Sequence, residues 1–365
     1  MEQSVKDILA DDFWIMPATP EYIDKGVPYI TSKNIKNGTI DFSKVNYISQ
    51  EDYEYISKNR PILVGDILIS MIGTLGETAE VKETDGLFYG QNMFLVRIDE
   101  SKVNKRYFLN FFKSNCVKRA LKGKQNQSTQ KYLKANHIED LIIPVPDVTK
   151  QELIAKQLDK LTYIITLRTN ELKQLDDLIK ARFVEMFGDP VSNSYGFPEA
   201  TLPELGELGR GVSKHRPRND SKLLGGDYPL IQTGDVANAG LYITSYGGTY
   251  SELGLKQSKM WNKGTLCITI AANIAKTAIL EFDACFPDSV VGFIANEKTN
   301  NIFIHYWFSF FQAILESQAP ESAQKNINLK ILSELKVIVP KKEKQDEFVE
   351  FIEQVYKSKL FSQRY

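Results

Sequence analysis

Cysteine and histidine are scarce in this chain. Its 365 residues include only Cys116, Cys267 and Cys285, which lie far apart and form no CxxC pair. That excludes a disulfide framework and leads us to expect a reducing, cytoplasmic setting. None of the three histidines, His137, His215 and His305, neighbours a cysteine or another histidine, so the ligand spacing of a zinc site is missing. No apolar run approaches the roughly 20 residues that span a bilayer. Glu2, Asp7, Asp11 and Asp12 give the first segment an acidic character unlike that of a signal peptide. Neither sign of charge dominates: 45 basic residues face 46 acidic ones, for a net charge of −1. That balance argues against a generic nucleic-acid coat but leaves room for a local basic face. Catalytic signatures are missing too. There is no GxxxxGK[ST], no GxGxxG after a strand, and no Asn-Pro-Pro-Tyr or Asp-Pro-Pro-Tyr methyltransferase motif, and no Ser/His/Asp set can be defended. Asp283 or Asp288 with Glu334-x-Lys336 has the bare form of a nuclease carboxylate–lysine pattern, as does Glu171-x-Lys173, which reads as surface charge.

What the chain does contain is itself, twice. Pro28-Tyr29-Ile30-Thr31-Ser32-Lys33-Asn34-Ile35 returns as Pro229-Leu230-Ile231-Gln232-Thr233-Gly234-Asp235-Val236, and Gly65-Asp66-Ile67-Leu68 as Gly264-Thr265-Leu266-Cys267. Ser128-Thr129-Gln130-Lys131 matches Ser322-Ala323-Gln324-Lys325, Leu141-Ile142-Ile143-Pro144 matches Val337-Ile338-Val339-Pro340, and Lys150-Gln151-Glu152 matches Lys344-Gln345-Asp346. The matches keep their order, with offsets of 194 to 201 residues. Two unrelated βαβ-type units would share a hydrophobic pattern, but here polar residues correspond as well. The period is far too long for a solenoid, so the pattern implies two pseudo-symmetric lobes.

Each lobe reads as mixed strand and helix. Residues 62–72, 266–272 and 88–98 have the apolar, β-branched and aromatic character of buried strands. Tyr107–Leu121 and Ile302–Leu315 read as aromatic-faced helices, and short strands end at Pro144 and Pro340. Between the lobes, Thr149-x-x-Glu152 has the form of a capping box. Leu158, Ile165, Leu172, Ile179 and Met186 then recur every seven residues beside Ile154, Leu161 and Leu175, a coiled-coil seam interrupted by Arg168 and Arg182. Gly188-Asp189-Pro190 stops the helix, which at 1.5 Å per residue would run about 57 Å. Phe348, Ile352 and Val355, flanked by Val349, Tyr356 and Leu360, mark a second, shorter helix that could pair with it antiparallel.

Charge is concentrated in two places. Lys113, Lys118, Arg119, Lys122, Lys124, Lys131 and Lys134 occur with no acid between them and surround the polar run Gln125-Asn126-Gln127-Ser128-Thr129-Gln130. Arg210, Lys214, His215, Arg216, Arg218 and Lys222 form the second concentration. Lysine and arginine hold phosphates, while glutamine and asparagine can read adenine edges bidentately. A solvated helix face and a mobile loop is the competing reading. The recurrence of a polar loop at 318–328, with Ser322, Gln324, Lys325 and Asn326, favours a working surface. Thr31-Ser32-Lys33-Asn34 with Gln232-Thr233, and Thr74 with Asn273, are further recurring polar turns that a ligand could touch.

Taken together, these residues resemble the specificity (S) subunit of Type I restriction–modification systems. The match rests on Pro28–Ile35, the Gly65-Asp66-Ile67-Leu68 turn, Leu141–Pro144 leading to Gln151-Glu152, and above all Ala181-Arg182-Phe183-Val184-Glu185-Met186-Phe187-Gly188-Asp189-Pro190. The resemblance implies an α+β fold with two pseudo-symmetric mixed α/β target-recognition domains separated by long antiparallel coiled-coil helices. Residues 1–146 and 191–340 would be the two domains, 147–190 the central helix and 341–365 the C-terminal helix. It also implies a non-catalytic subunit for phage defence that reads a bipartite site on double-stranded DNA. The helices would dock two methyltransferase (M) subunits, and restriction (R) subunits would complete the complex. This chain would hold no cofactor: S-adenosylmethionine, ATP and Mg would belong to the partner subunits. A two-lobed protein–protein scaffold with no DNA role is the alternative.

Overall fold

Strands Ile67–Ser70 and Leu266–Thr269 lie inside their sheets, and every residue of both is buried. Side chains alternate across a strand, so a strand buried on both faces needs two cores. In the first unit, Ile67, Ile69, Phe94 and Val96 enter one hydrophobic cluster, while Leu68, Met93 and Leu95 enter another. In the second, Leu266, Ile268, Val291 and Phe293 face one cluster, and Cys267, Ala278 and Val290 the other. This explains why the sequence shows continuous apolar runs here rather than alternation.

The computed structural model describes residues 1–12, 14–16, 20–123, 132–271, 274–318 and 327–363, with side chains at all of these except 313–318 and 361–363. The chain divides into two units, Met1–Thr166 and Leu167–Tyr365. The first holds a four-stranded sheet in the order Trp14–Ile15, Met93–Val96, Ile67–Ser70, Thr78–Glu80. A second sheet places Val27–Thr31 between Asn46–Ile48 (antiparallel) and Tyr89–Gln91 (parallel). The second unit repeats both arrangements. Gly206–Arg210, Val290–Ala295, Leu266–Thr269 and Thr277–Leu280 are neighbours in one sheet, and Leu224–Leu230 runs parallel to Ala284–Cys285 and antiparallel to Gly248–Tyr250 in the other. Outer pairs correspond as well, Glu2–Ser4 with Ile142–Pro144 and Glu199–Thr201 with Lys336–Ile338.

The repeated sequence motifs do the same local work in both units. Gly65 and Gly264 adopt φ of +92° and +89°, a conformation open to glycine, and their amides donate to Val81 O and Leu280 O at 2.8 Å in each case. Gln151 and Gln345 are fully buried. Gln151 Oε1 accepts from Asn104 N (2.8 Å), while its Nε2 donates to Pro146 O (2.8 Å) and Lys102 O (3.3 Å). Gln345 Oε1 accepts from Thr299 Oγ1 (2.9 Å), while its Nε2 donates to Pro340 O (2.9 Å) and Lys298 O (3.1 Å). Each glutamine therefore fastens the start of a helix to the lobe that precedes it.

That first helix spans Val148–Phe187 and the second Lys342–Gln363. The first begins earlier than its sequence indicates: Asp147, not Thr149, is the cap, its Oδ1 accepting from Lys150 N at 2.9 Å. Within the second unit the two helices run antiparallel, with Arg182 bound to Glu347 and Lys359 to Asp176. Ile179, Phe183, Met186 and Phe187 are buried there against Phe348, Ile352 and Val355. The heptad seam is covered here by the C-terminal helix, and at its start Ile154 packs against the core of the first unit. Between these, Leu161 is 55% exposed and Ile165 is 65% exposed. Arg168 and Arg182 lie at the seam's edge, paired with Glu171 and with Glu185 and Glu347.

Two expected elements are broken in the structure. The strand anticipated over 88–98 splits at Asn92, whose φ of +60° ends Tyr89–Gln91 and starts Met93–Val96 in the other sheet. The helix anticipated over 107–121 is two helices, Lys105–Phe112 and Asn115–Gly123. Burying both Phe108 and Phe112 on the first and Val117 and Leu121 on the second requires the turn between them.

Candidate nucleic-acid interface

In the first unit, chain crossings gather several of the polar segments at one end of the sheets. Ser32 Oγ donates to Asn92 O, and Met71 N donates to the same carbonyl at 3.2 Å. Leu133 N donates to Met71 O at 2.9 Å, and Ile72 bridges to Tyr132. Gly76 lies against Leu121 and Phe112, so the turn that carries exposed Thr74 sits beside the basic helix Asn115–Gly123. Lys113 reaches the Asn37–Gly38 turn of the hairpin that follows Asn34. Lys113, Lys118, Arg119 and Lys122 are exposed and carry no ion pair among the described residues.

Not all of the candidate side chains point outward. Asn34 is buried: its Oδ1 accepts from Thr31 N (2.9 Å) and Thr31 Oγ1 (3.2 Å), and its Nδ2 donates to Asp41 O (2.8 Å) and Lys44 O (3.0 Å). Thr31 and Asn34 thus shape the turn, and Ser32 ties it to Asn92, while Lys33 is exposed. The second unit repeats the device, with Gln232 N donating to Asp235 Oδ2 (2.8 Å) and Gln232 itself exposed, beside half-buried Thr233. Lys124, Gln125, Asn126, Gln127, Ser128, Thr129, Gln130 and Lys131 lie outside the described residues, as do Asn273, Ser322, Gln324, Lys325 and Asn326. The flanks are described: Ile327 N donates to Ile270 O (3.0 Å), and Ile270 N to Ser289 O (3.0 Å), as Leu133, Met71 and Asn92 connect in the first unit.

The second basic concentration is a braced loop. Gln257 Oε1 accepts from Lys214 N (2.7 Å) and His215 N (3.1 Å), and Ser258 Oγ donates to Val212 O (2.8 Å). Arg216 Nη1 donates to Ser213 O (2.6 Å) and His215 O (2.9 Å), and His215 pairs with Asp220 at 3.2 Å. Asp288 takes Arg216 (3.5 Å) and Arg218 on its carboxylate and Arg210 Nε on its carbonyl oxygen. Asn92 and Gln257 were not singled out by sequence reasoning, and Asp288 was considered only as an acid of the nuclease pattern. Only the break in the apolar pattern at Gln91-Asn92 hinted at the first, and nothing local marks the second.

The acids of the nuclease pattern do not assemble. Asp288 is engaged by arginines, Asp283 Oδ1 accepts from Lys263 N (2.7 Å), and Glu334 faces Lys330 at 3.8 Å on its own helical turn. Among the described residues no group of three His, Cys, Asp or Glu side chains could hold a metal, and the three cysteines are free thiols. No described helix is long and apolar enough to cross a membrane.

A cavity of about 660 Å³ in the second unit is lined by His305, Thr277, Lys359, Asp176, Tyr242, Tyr306 and Tyr356 among others, and Thr277 Oγ1 meets His305 Nδ1 there at 2.9 Å. Burial, aided by the Lys359 charge and opposed by Thr277, pulls the imidazole down to about 4. A depressed histidine binds fewer protons folded than unfolded, so its stabilising contribution is complete above the unfolded value near 6.5 and is lost as pH falls from there toward 4. Thermal melts should therefore show the second unit losing stability between pH 7 and pH 4, and His305→Gln should flatten that dependence. An unchanged slope in the variant would remove His305 as its source.

The Type I restriction modification DNA specificity domain model matches residues 15–177 and again 199–364. The chain belongs to the Type I restriction–modification DNA specificity family. It is 24% identical over 335 residues to the putative Type I restriction enzyme MjaX specificity subunit of Methanocaldococcus jannaschii, covering 88% of this chain and 78% of that protein. It is 23% identical over 360 residues to the EcoBI specificity subunit of Escherichia coli, covering 91% and 73%. The S subunit of the M. genitalium Type I system has the same fold, with a TM-score of 0.59 at 12% identity, over 100% of this chain and 91% of that one. The two matched segments follow the internal repeat: the first runs from lobe one through most of the long helix, and the second from lobe two through the C-terminal helix. The chain is thus a Type I specificity subunit, and the scaffold alternative finds no support among these relatives.

Proposed function

We propose that each unit reads one half of a split site on double-stranded DNA, and that the protein acts without a catalytic step of its own. The observation that carries this reading is the repeated end-of-sheet gathering. In both units a capped turn (Thr31–Asn34, Gln232–Asp235) and the flanks of a polar loop are tied to one scaffold, with exposed cations nearby in different arrangements. One scaffold with divergent surfaces suits two readers of unlike short sequences. In this reading Lys33, Thr74, Lys122, Lys214, Arg216, Arg218, Gln232 and Thr233 contact the DNA, with Lys124–Lys131, Asn273, Ser322, Gln324, Lys325 and Asn326 as further candidates, while Thr31, Ser32 and Asn34 shape the turn that presents Lys33. Phosphates would be neutralised by lysine and arginine, and bases read through the major groove.

The partners are two methyltransferase subunits and restriction subunits, in keeping with relatives named as specificity subunits of restriction enzymes. S-adenosylmethionine, ATP and Mg are theirs to bind. The assembly works in the cytoplasm, where thiols such as Cys116 stay reduced. Single-molecule methylome sequencing with and without the gene gives the site. Replacing residues 191–340 by the corresponding segment of another family member should then change one half of it and leave the other. A pattern altered in both halves, or in neither, would overturn the two-reader assignment.

A further inference from the structure

Asp288 is the node of the arginine loop. Its carboxylate receives Arg218 Nη2 and, at 3.5 Å, Arg216 Nη2, and its carbonyl oxygen receives Arg210 Nε. Ion pairs this exposed contribute little to stability. The Arg216 and Arg218 side chains keep 56% and 46% of their surface in solvent, against 28% for Asp288. Arg216 is already held by the Ser213 and His215 carbonyls. Arg218 has no acceptor other than Asp288 among the described residues, so Nη2 is tied to one carboxylate oxygen while 46% of the side chain stays in solvent, leaving its other donors available.

The register of the two units gives this node a counterpart. Met93 pairs with Ser70 as Val290 pairs with Thr269, so Asp288 stands where Gln91 stands in the first unit. Gln91 Nε2 donates to Tyr22 at 3.3 Å, in the loop that precedes its unit's Val27–Thr31 strand. Asp288 likewise engages the loop that precedes Leu224–Leu230. The same scaffold position therefore orients a loop side chain in both units, with different chemistry in each. Such a position changes what is read without disturbing the fold.

We propose that Arg218, oriented by Asp288, is the residue that reads a guanine in the half-site of the second unit. This rests on the DNA-reading assignment above. A guanidinium presents a planar pair of donors that matches guanine O6 and N7, a geometry that lysine cannot reproduce. Tying one nitrogen to a carboxylate removes rotamer freedom before binding. The adjacent negative charge also disfavours a phosphate as the second partner, which directs the open edge to a base. Asp288 acts through Arg218 and is a positioning residue.

The test uses the complete complex with its methyltransferase subunits. Methylation rates are measured on duplexes carrying every single-base change in both half-sites, for the wild type, Arg218→Lys and Asp288→Asn. The wild type should prefer guanine at one position of the second half-site by about tenfold or more, the worth of one bidentate contact. Both variants should lose that preference and keep discrimination at every position of the first half-site, which also reports that they are folded. Equal weakening at all positions would mean a phosphate contact and would overturn the proposal, as would retained preference or a second half-site that contains no guanine on either strand. A wild-type complex with no sequence preference anywhere would instead bring down the DNA-reading assignment itself.

Discussion

Phe183→Ala should destabilise the second unit by about 3–5 kcal/mol, the usual cost of emptying a large aromatic site. Phe183 is fully buried, and its ring lies 4.9 Å from Phe187, 5.5 Å from Phe303, 5.0 Å from Phe310 and 5.4 Å from Phe348. These neighbours come from the long helix, the aromatic helix Asn301–Gln318 and the C-terminal helix, so one truncation loosens three elements at once. Several rings surround the void, and they cannot all collapse into it. Ile165→Ala is the control. Ile165 is an apolar residue of the same long helix but is 65% exposed, and a surface change of this kind stays within about 0.5 kcal/mol. Chemical denaturation of the full chain separates the two. A loss below about 1 kcal/mol for Phe183→Ala would show that the helix is not held where the packing indicates.

Removing charge from the basic helix should have the largest effect on DNA binding. Lys118, Arg119 and Lys122 project from Asn115–Gly123, whose other face buries Val117 and Leu121. Their replacement by glutamine leaves up to three phosphates without a cation while keeping helix propensity and the apolar face. Each phosphate no longer neutralised should flatten the dependence of log K on log salt by about 0.9. The triple variant should therefore change the slope by roughly 2–3 and weaken specific and unrelated duplexes alike. An unaltered slope in a folded variant would mean that this face points away from the DNA. Selective weakening at single base pairs would mean that it reads bases rather than phosphates.

The two experiments probe features that differed in how well they could be read in advance. The buried strands, the Gly65 and Gly264 turns and the stop at Gly188 are local, so the pattern of residues reveals them. Gln151 and Gln345 stood out only as a repeated pair, and the repeat pointed to their importance without showing their partners. The polar Gln91-Asn92 step within 88–98 hinted at an interruption, but hydrophobicity does not record a left-handed residue that moves a chain from one sheet to another. The break at Lys113–Ser114 was hidden for a similar reason: helix periodicity continues across it, and only the packing of Phe112 and Leu121 requires the turn.

Two lobes built to one plan, a near-neutral balance that still holds basic clusters, and two apolar-striped helices follow from the order of residues alone, because repetition and periodicity are properties of the chain. Which polar residues shape turns and which face solvent was decided by the tertiary structure. Asn34 looked like a reader and is consumed by the carbonyls of Asp41 and Lys44, while Asp288 looked like one acid of a nuclease pattern and instead gathers Arg210, Arg216 and Arg218. The physical reason is that a hydrogen bond or an ion pair depends on which groups the fold brings within about 3 Å, and most of these partners are tens of residues away in the chain. The seam shows the same division. Its heptads were legible, but which of its residues are buried depends on what the fold packs against each of them.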